Sequence, residues 1–307
     1  MKKIIFILSI FFTSLIAQIQ YGGEALYYSI NDIDMDFYNV SKETLKVDRG
    51  FHPMVFQYGD EYLLDLDILD YSKPIVKDDN VTFLFGVESE GAYGIGLNFN
   101  KFNLSKNSKM FLYDADRTMV LGSFTNSSNK ETGDFSTSIV KSDKVIIEVS
   151  LPLSEVDDLQ VNLYSIVHDY TDIMGYYSFN QSDREDCNTN VSCPEGIGYE
   201  DQINGTIRVT MGGGLCSASI INNTLNDRTP YVLFADHCVS GSASSYLFLF
   251  NYQAATCTGT SAPENQSVSG SSLLVSEDIN SGPDFALLEM TSNIPDSYNP
   301  FYVGWSK

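Results

Sequence analysis

The chain has 307 residues and a net charge of −22, long enough for two domains with a core each. A surface this acidic repels phosphate backbones, which excludes a nucleic-acid-binding role, and it keeps an exported protein soluble. The 19 Tyr and 19 Phe outnumber a single Trp, and with abundant Val, Ile and Thr they favour strands over helices.

In chain order, Lys2 and Lys3 precede an apolar run from Ile4 to Ile16 that ends at Ala17. That run is too short for a comfortable membrane span, so residues 1–17 read as a signal peptide and the protein as secreted. "NDIDMDFYN" and "LLDLDILDY" set Asp32, Asp34, Asp36, Asp65, Asp67 and Asp70 among apolar residues. A calcium loop needs Gly at its sixth position and the first run has Phe37, so these read as strand carboxylates facing water, with no metal. His52 and His168 stand isolated and read as structural or surface residues. The segments 80–89, 92–104, 108–125, 143–152 and 159–170 alternate as strands, the third as a hairpin around Asp114-Ala115-Asp116. Short strands at this spacing predict an antiparallel β-sandwich over residues 18–185, with no helix of useful length.

The polar junction Asn180–Cys193 has the character of a linker or processing site, with Arg184 or its neighbours as the cut. All five cysteines (Cys187, Cys193, Cys216, Cys238 and Cys257) lie from here onward. In an exported chain they indicate a disulfide framework in one domain; the odd count leaves a missing partner or a free thiol. There is no C-x-x-C and one histidine nearby, so the spacing does not describe a zinc site. Further strands are predicted in "GTIRVTM", "GGGLCSASIINN", "TPYVLFADHC", "SYLFLFNYQ", "SSLLVSED" and "DFALLEM". The serine-rich "SGSASS" (240–245) and "SVSGSS" (267–272) read as loops.

His237 closes one predicted strand and Asp284 opens another. A general base must be held in one tautomer, and a carboxylate bonded to the far ring nitrogen does this. The two residues therefore form an orienting acid and an imidazole base that await a nucleophile.

"FADHC" resembles the histidine box of trypsin-like serine peptidases, and "DFALLEM" their aspartate box, in the same order. The closer resemblance is to the lysyl endopeptidase-like branch of secreted bacterial enzymes. It is carried by "DCNTNVSCPEG", "GGGLCSASIINN", "DRTPYVLFADHCV", "CTGT" and "NPFYVGWSK", and covers the chain from Cys187 on. The resemblance implies an all-β fold in which residues 186–307 form the first β-barrel of a chymotrypsin-like double barrel. It implies that His237 is the general base and Asp284 its partner. It pairs Cys216 with Cys238, Cys193 with Cys257, and Cys187 with a cysteine beyond Lys307. It implies polypeptide substrates, no cofactor, and an N-terminal propeptide, residues 18–185, that assists folding or holds the enzyme inactive.

The chain departs from the family pattern in lacking a glycine-flanked serine box. After Asp284 the serines are Ser292, Ser297 and Ser306, none set for an oxyanion hole. The expectation is an inactive fragment of a serine endopeptidase precursor. The alternative is a non-catalytic secreted binding or adhesion protein that keeps a peptidase-like scaffold. Phe234 and Asp236 also depart from the usual histidine box, which often reads Thr and Ala there.

Overall fold

A computed structural model describes residues 23–28, 35–41, 43–175, 189–259, 262 and 266–305. The signal peptide, Asp32, Asp34, Arg184 and Cys187 lie outside the described residues.

Among the described residues, eleven strands precede the junction: β1 Phe37–Asn39, β2 Phe56–Gln57, β3 Gly59–Asp67, β4 Ile75–Lys77, β5 Asn80–Glu88, β6 Gly94–Asn103, β7 Lys109–Asp114, β8 Val120–Phe124, β9 Phe135–Ser136, β10 Lys144–Pro152 and β11 Gln160–Asp169. Seven follow it: β12 Thr206–Met211, β13 Gly214–Ile221, β14 Tyr231–Phe234, β15 Leu247–Leu249, β16 Ser267–Ser269, β17 Ser271–Glu277 and β18 Phe285–Met290. The only α-helices among the described residues are the short α1 Ile68–Tyr71 and α2 Glu200–Gly205, so the fold is predominantly β.

All of the N-terminal strands but β2 form two sheets. One has the order β1-β5-β10-β7-β8 with β4 also on β5; the other has the order β3-β11-β6-β9. Their facing sides share one apolar core. Phe83, Phe85, Ile147, Val149 and Leu112 of the first sheet meet Leu97, Phe99, Leu163 and Ile166 of the second. β5 is buried almost end to end. Its other face, with Phe111, Tyr113 and Ile146 of neighbouring strands, is covered by Ala25, Tyr27, Tyr28, Met35 and Phe37. Burial on both faces explains why "VTFLFGV" is continuously apolar rather than alternating. The β7–β8 turn is built by Asp114, whose carboxylate accepts from the backbone of Thr118 and Met119 at 2.8 and 2.6 Å. Asp65, Asp67 and Asp70 are exposed. Asp67 also caps α1, accepting from Leu69 N at 3.0 Å.

The C-terminal strands form a third sheet in the order β16-β15-β12-β13-β14-β18-β17, to which β2 adds at β13. The two ends of that path, β16 and β17, follow one another in the chain, joined through Gly270 alone. Gly270 has φ +86°, a conformation glycine adopts without the cost of a side chain. The core of this sheet holds Val209, Met211, Ile220, Val232, Phe234, Tyr246, Phe248 and Leu288.

Two expectations are corrected here. "SVSGSS" is no loop: Ser267–Ser269 is strand β16 and all three residues are buried. Its serines meet the N-terminal region, with Ser136 N donating to Ser269 Oγ at 3.1 Å and Ser138 Oγ 3.4 Å from Ser267 Oγ. A serine-rich strand is stable when buried hydroxyls find partners. The second correction concerns His52, described next.

Candidate active site

β14 and β18 pair antiparallel, with Phe234 opposite Ala286 and Leu233 opposite Leu287. β14 ends into a single 3-10 turn, Asp236–Cys238, closed by Cys238 N to Ala235 O at 3.1 Å and Val239 N to Asp236 O at 2.7 Å. Asp284 lies at the head of β18, two residues before Ala286. The ladder register therefore brings its carboxylate to the turn that carries His237. Asp284 has φ +52°, a left-handed conformation that Asp tolerates better than most residues.

The result is a two-point contact. His237 N donates to Asp284 Oδ1 at 2.9 Å, and His237 Nδ1 lies 2.7 Å from Asp284 Oδ2. The backbone N–H foremost, then the ring, hold the Asp284 carboxyl below the usual carboxylate range. An ionised carboxylate at Nδ1 selects the tautomer with its proton there and leaves Nε2 as the acceptor. Both side chains are largely shielded, at 14 % and 20 % exposure, at the end of the β14–β18 ladder.

The turn is pinned from both sides. Cys216 of β13 is bridged to Cys238, with Cα atoms 6.3 Å apart. Beyond the turn, Ser240 N donates to Tyr246 Oη at 2.8 Å and Tyr246 Oη donates to Ser240 O at 3.0 Å. Cys193 and Cys257 form the second disulfide, Cα atoms 4.3 Å apart. Asn190 Nδ2 reinforces it by donating to Cys257 O at 2.7 Å.

Cys216, His237 and Cys238 offer ligand atoms within 4.8 Å of one another, a spacing a metal ion accepts. The donor set does not fit. Metal-binding cysteine is a thiolate, and both sulfurs here are spent on the disulfide.

His52 was invisible to sequence reasoning as a site residue. Far from isolated, its ring centroid lies 5.5 Å from that of His237 with the planes tilted by 47°. No sequence signal marks it, since its importance depends on a contact between distant segments. His168 does have a structural setting: Nδ1 is 2.8 Å from Ser89 Oγ, and burial lowers its pKa. Among the described residues, no serine hydroxyl is hydrogen-bonded to His237.

An imidazole oriented by a carboxylate at Nδ1, with Nε2 left as the acceptor, has the arrangement of the His–Asp part of a serine-peptidase triad. Residues 180–307 match the family model described as lysyl endopeptidase, C-terminal domain. That segment contains His237 and Asp284, and the match and the paired geometry together support a peptidase-like His–Asp dyad.

Proposed function

We propose that the chain is the precursor of a secreted serine endopeptidase. Residues 1–17 direct export, residues 18–185 act as a propeptide, and residues 186–307 form the first barrel of the peptidase unit. His237 takes the proton of a serine nucleophile as that oxygen attacks the scissile carbonyl, then returns it to the leaving amine. Asp284 fixes the ring and stabilises the imidazolium formed in between. The chemistry calls for no metal or organic cofactor.

The observation that carries this reading is the 2.7 Å contact between His237 Nδ1 and Asp284 Oδ2 at the end of a paired strand ladder. No helix among the described residues is long and apolar enough to cross a membrane.

A fluorophosphonate probe tests the assignment. The 307-residue chain should remain unlabelled. The product of the complete coding sequence should be labelled at one serine, and His237→Ala should abolish that labelling. Labelling of the 307-residue chain at one of its own serines would overturn the placement of the nucleophile. A complete product that never reacts would favour a binding protein on a peptidase scaffold.

A further inference from the structure

We infer that residues 49–58 are a built-in plug: an edge strand from the N-terminal region that occupies β13 beside the dyad and covers His237. The inhibitory meaning of this contact rests on the reading of His237 as the catalytic base; the occlusion itself does not.

The receiving surface is the glycine triplet Gly212–Gly214 between β12 and β13. At Gly213 a Cβ would lie 1.8 Å from Gly59 O. At Gly214 it would lie 2.7 Å from the Phe51 ring, and at Gly212 2.4 Å from Arg49 Nε. The Gly59 carbonyl is main chain and cannot swing aside as a side chain could, so a glycine at 213 is needed for this approach. Tyr58 N donates to Gly213 O at 2.8 Å, and Tyr58 Oη to Gly212 O at 2.7 Å.

The incoming chain is held as a strand. Gln57 pairs with Gly214 and Phe56 with Leu215, antiparallel. Phe56 is 54 % exposed, so its backbone rather than its ring makes the contact. Leu215 precedes Cys216, whose disulfide carries the His237 turn. A strand added to this edge is therefore led past the dyad, as in recognition by β-strand addition.

Upstream, His52-Pro53-Met54-Val55 forms a turn closed by Val55 N to His52 O at 2.9 Å. Proline suits its second position because its φ is already set. The turn buries Val55 in the core of the C-terminal sheet with Phe51 packed beside it, and it places the His52 ring against that of His237.

A clamp secures the start of the segment. The Arg49 guanidinium is bound to the buried Glu61 carboxylate, with Nη2 donating to Oε1 at 2.9 Å. The Arg49 carbonyl accepts from Ser240 Oγ at 2.8 Å, three residues after His237. Main-chain pairing, an apolar anchor, a buried ion pair and a ring against the base thus converge on one short segment. A polypeptide entering along the same edge must displace it.

The test uses the full 307-residue chain and needs no catalysis. The sequence holds three histidines, so diethyl pyrocarbonate modification mapped by mass spectrometry reads each one separately. His237 should react slowly in the native chain. The double variant Phe51→Gly/His52→Gly should raise its rate by roughly tenfold or more, the size expected when a cover must otherwise open locally. His168 should not change, which reports an intact N-terminal fold. If the double variant unfolds, His52→Ala alone should still accelerate His237 over an unchanged His168. A His237 that reacts freely in the native chain, or is unmoved by either folded variant, overturns the plug. In the complete product, hydrolysis should rise with the variants. Occlusion without any hydrolysis in any form would instead count against the peptidase reading and leave the plug standing.

Discussion

The two halves of this molecule reach stability by different routes. The N-terminal region has no cysteine and closes two sheets over a broad apolar core, with Phe99, Phe102 and Phe135 in mutual contact. Its buried carboxylates serve structure: Glu148 accepts from Leu26 N, Tyr27 N and Tyr113 Oη at 2.7, 3.1 and 3.0 Å, and burial raises its pKa. The C-terminal sheet wraps a smaller core and adds two disulfides. The Asp284 carboxylate differs in kind from Glu148, because its pKa is lowered by donors aimed at it. Broad packing holds the region that covers the site, and cross-links hold the region that contains it.

The largest expected effect lies in the C-terminal half and is chemical. Asp284→Asn in the complete enzyme should lower kcat by about 10⁴-fold, the loss typical when the orienting carboxylate of such a triad is neutralised. Thermal unfolding should scarcely move. A small kinetic effect would break the assignment of the dyad to one half.

The next effect lies where the halves meet. Glu61→Ala leaves the Arg49 guanidinium buried without its partner and should cost about 3–5 kcal/mol, measured by urea denaturation. Glu61 also accepts from Asn98 Nδ2 at 3.1 Å and from Ser165 Oγ, so the loss is not confined to one bond. Replacing Cys216 and Cys238 together by serine should cost about 2–4 kcal/mol and should loosen the C-terminal half selectively. Hydrogen exchange would show β13 and β14 opening while β5 and β10 stay protected. Equal loosening of both halves would erase the distinction drawn here.

The smallest effect is a pH dependence of the seam. Lys130 belongs to the N-terminal region and is partly exposed as a residue, but its ammonium is tucked against Ser269, Nζ to Oγ 3.0 Å. Burial lowers its pKa to about 7, opposed by Asp134. The docked state therefore binds fewer protons than the open one. Docking is strongest at high pH, weakens as pH falls below the lysine's ordinary range, and reaches its floor below about 7. The protection factor of the Ser136 amide, which donates to Ser269 Oγ, should fall over that span once the exchange rate is corrected for its intrinsic pH dependence. Lys130→Met should flatten the profile.

Much of this was legible in the sequence. β5, β6, β7, β8, β10 and β11 fall within the predicted segments because strand periodicity and β-branched residues are local signals. β14 and β18 were found for the same reason, and with them His237 and Asp284. β16 reads as a loop in the sequence because two serines around a single valine carry little apolar signal; their partners are supplied by Ser136 and its neighbours, far away in sequence. β2 is two residues long and exists because a glycine triplet elsewhere has room for it. His52 was missed on the same grounds. Short strands and covering contacts are set by the tertiary partner, and the chain does not display its partner locally.

The ladder between β14 and β18 carries a consequence for how this domain tolerates change. The spacing of base and acid is written in main-chain hydrogen bonds, with Phe234 opposite Ala286, and not in the identity of the surrounding loops. Insertions in the segments before Tyr231 or after Met290 can accumulate without parting the two groups. A shift of one residue in this pairing would turn Asp284 to the opposite face of the sheet and silence the imidazole at a stroke.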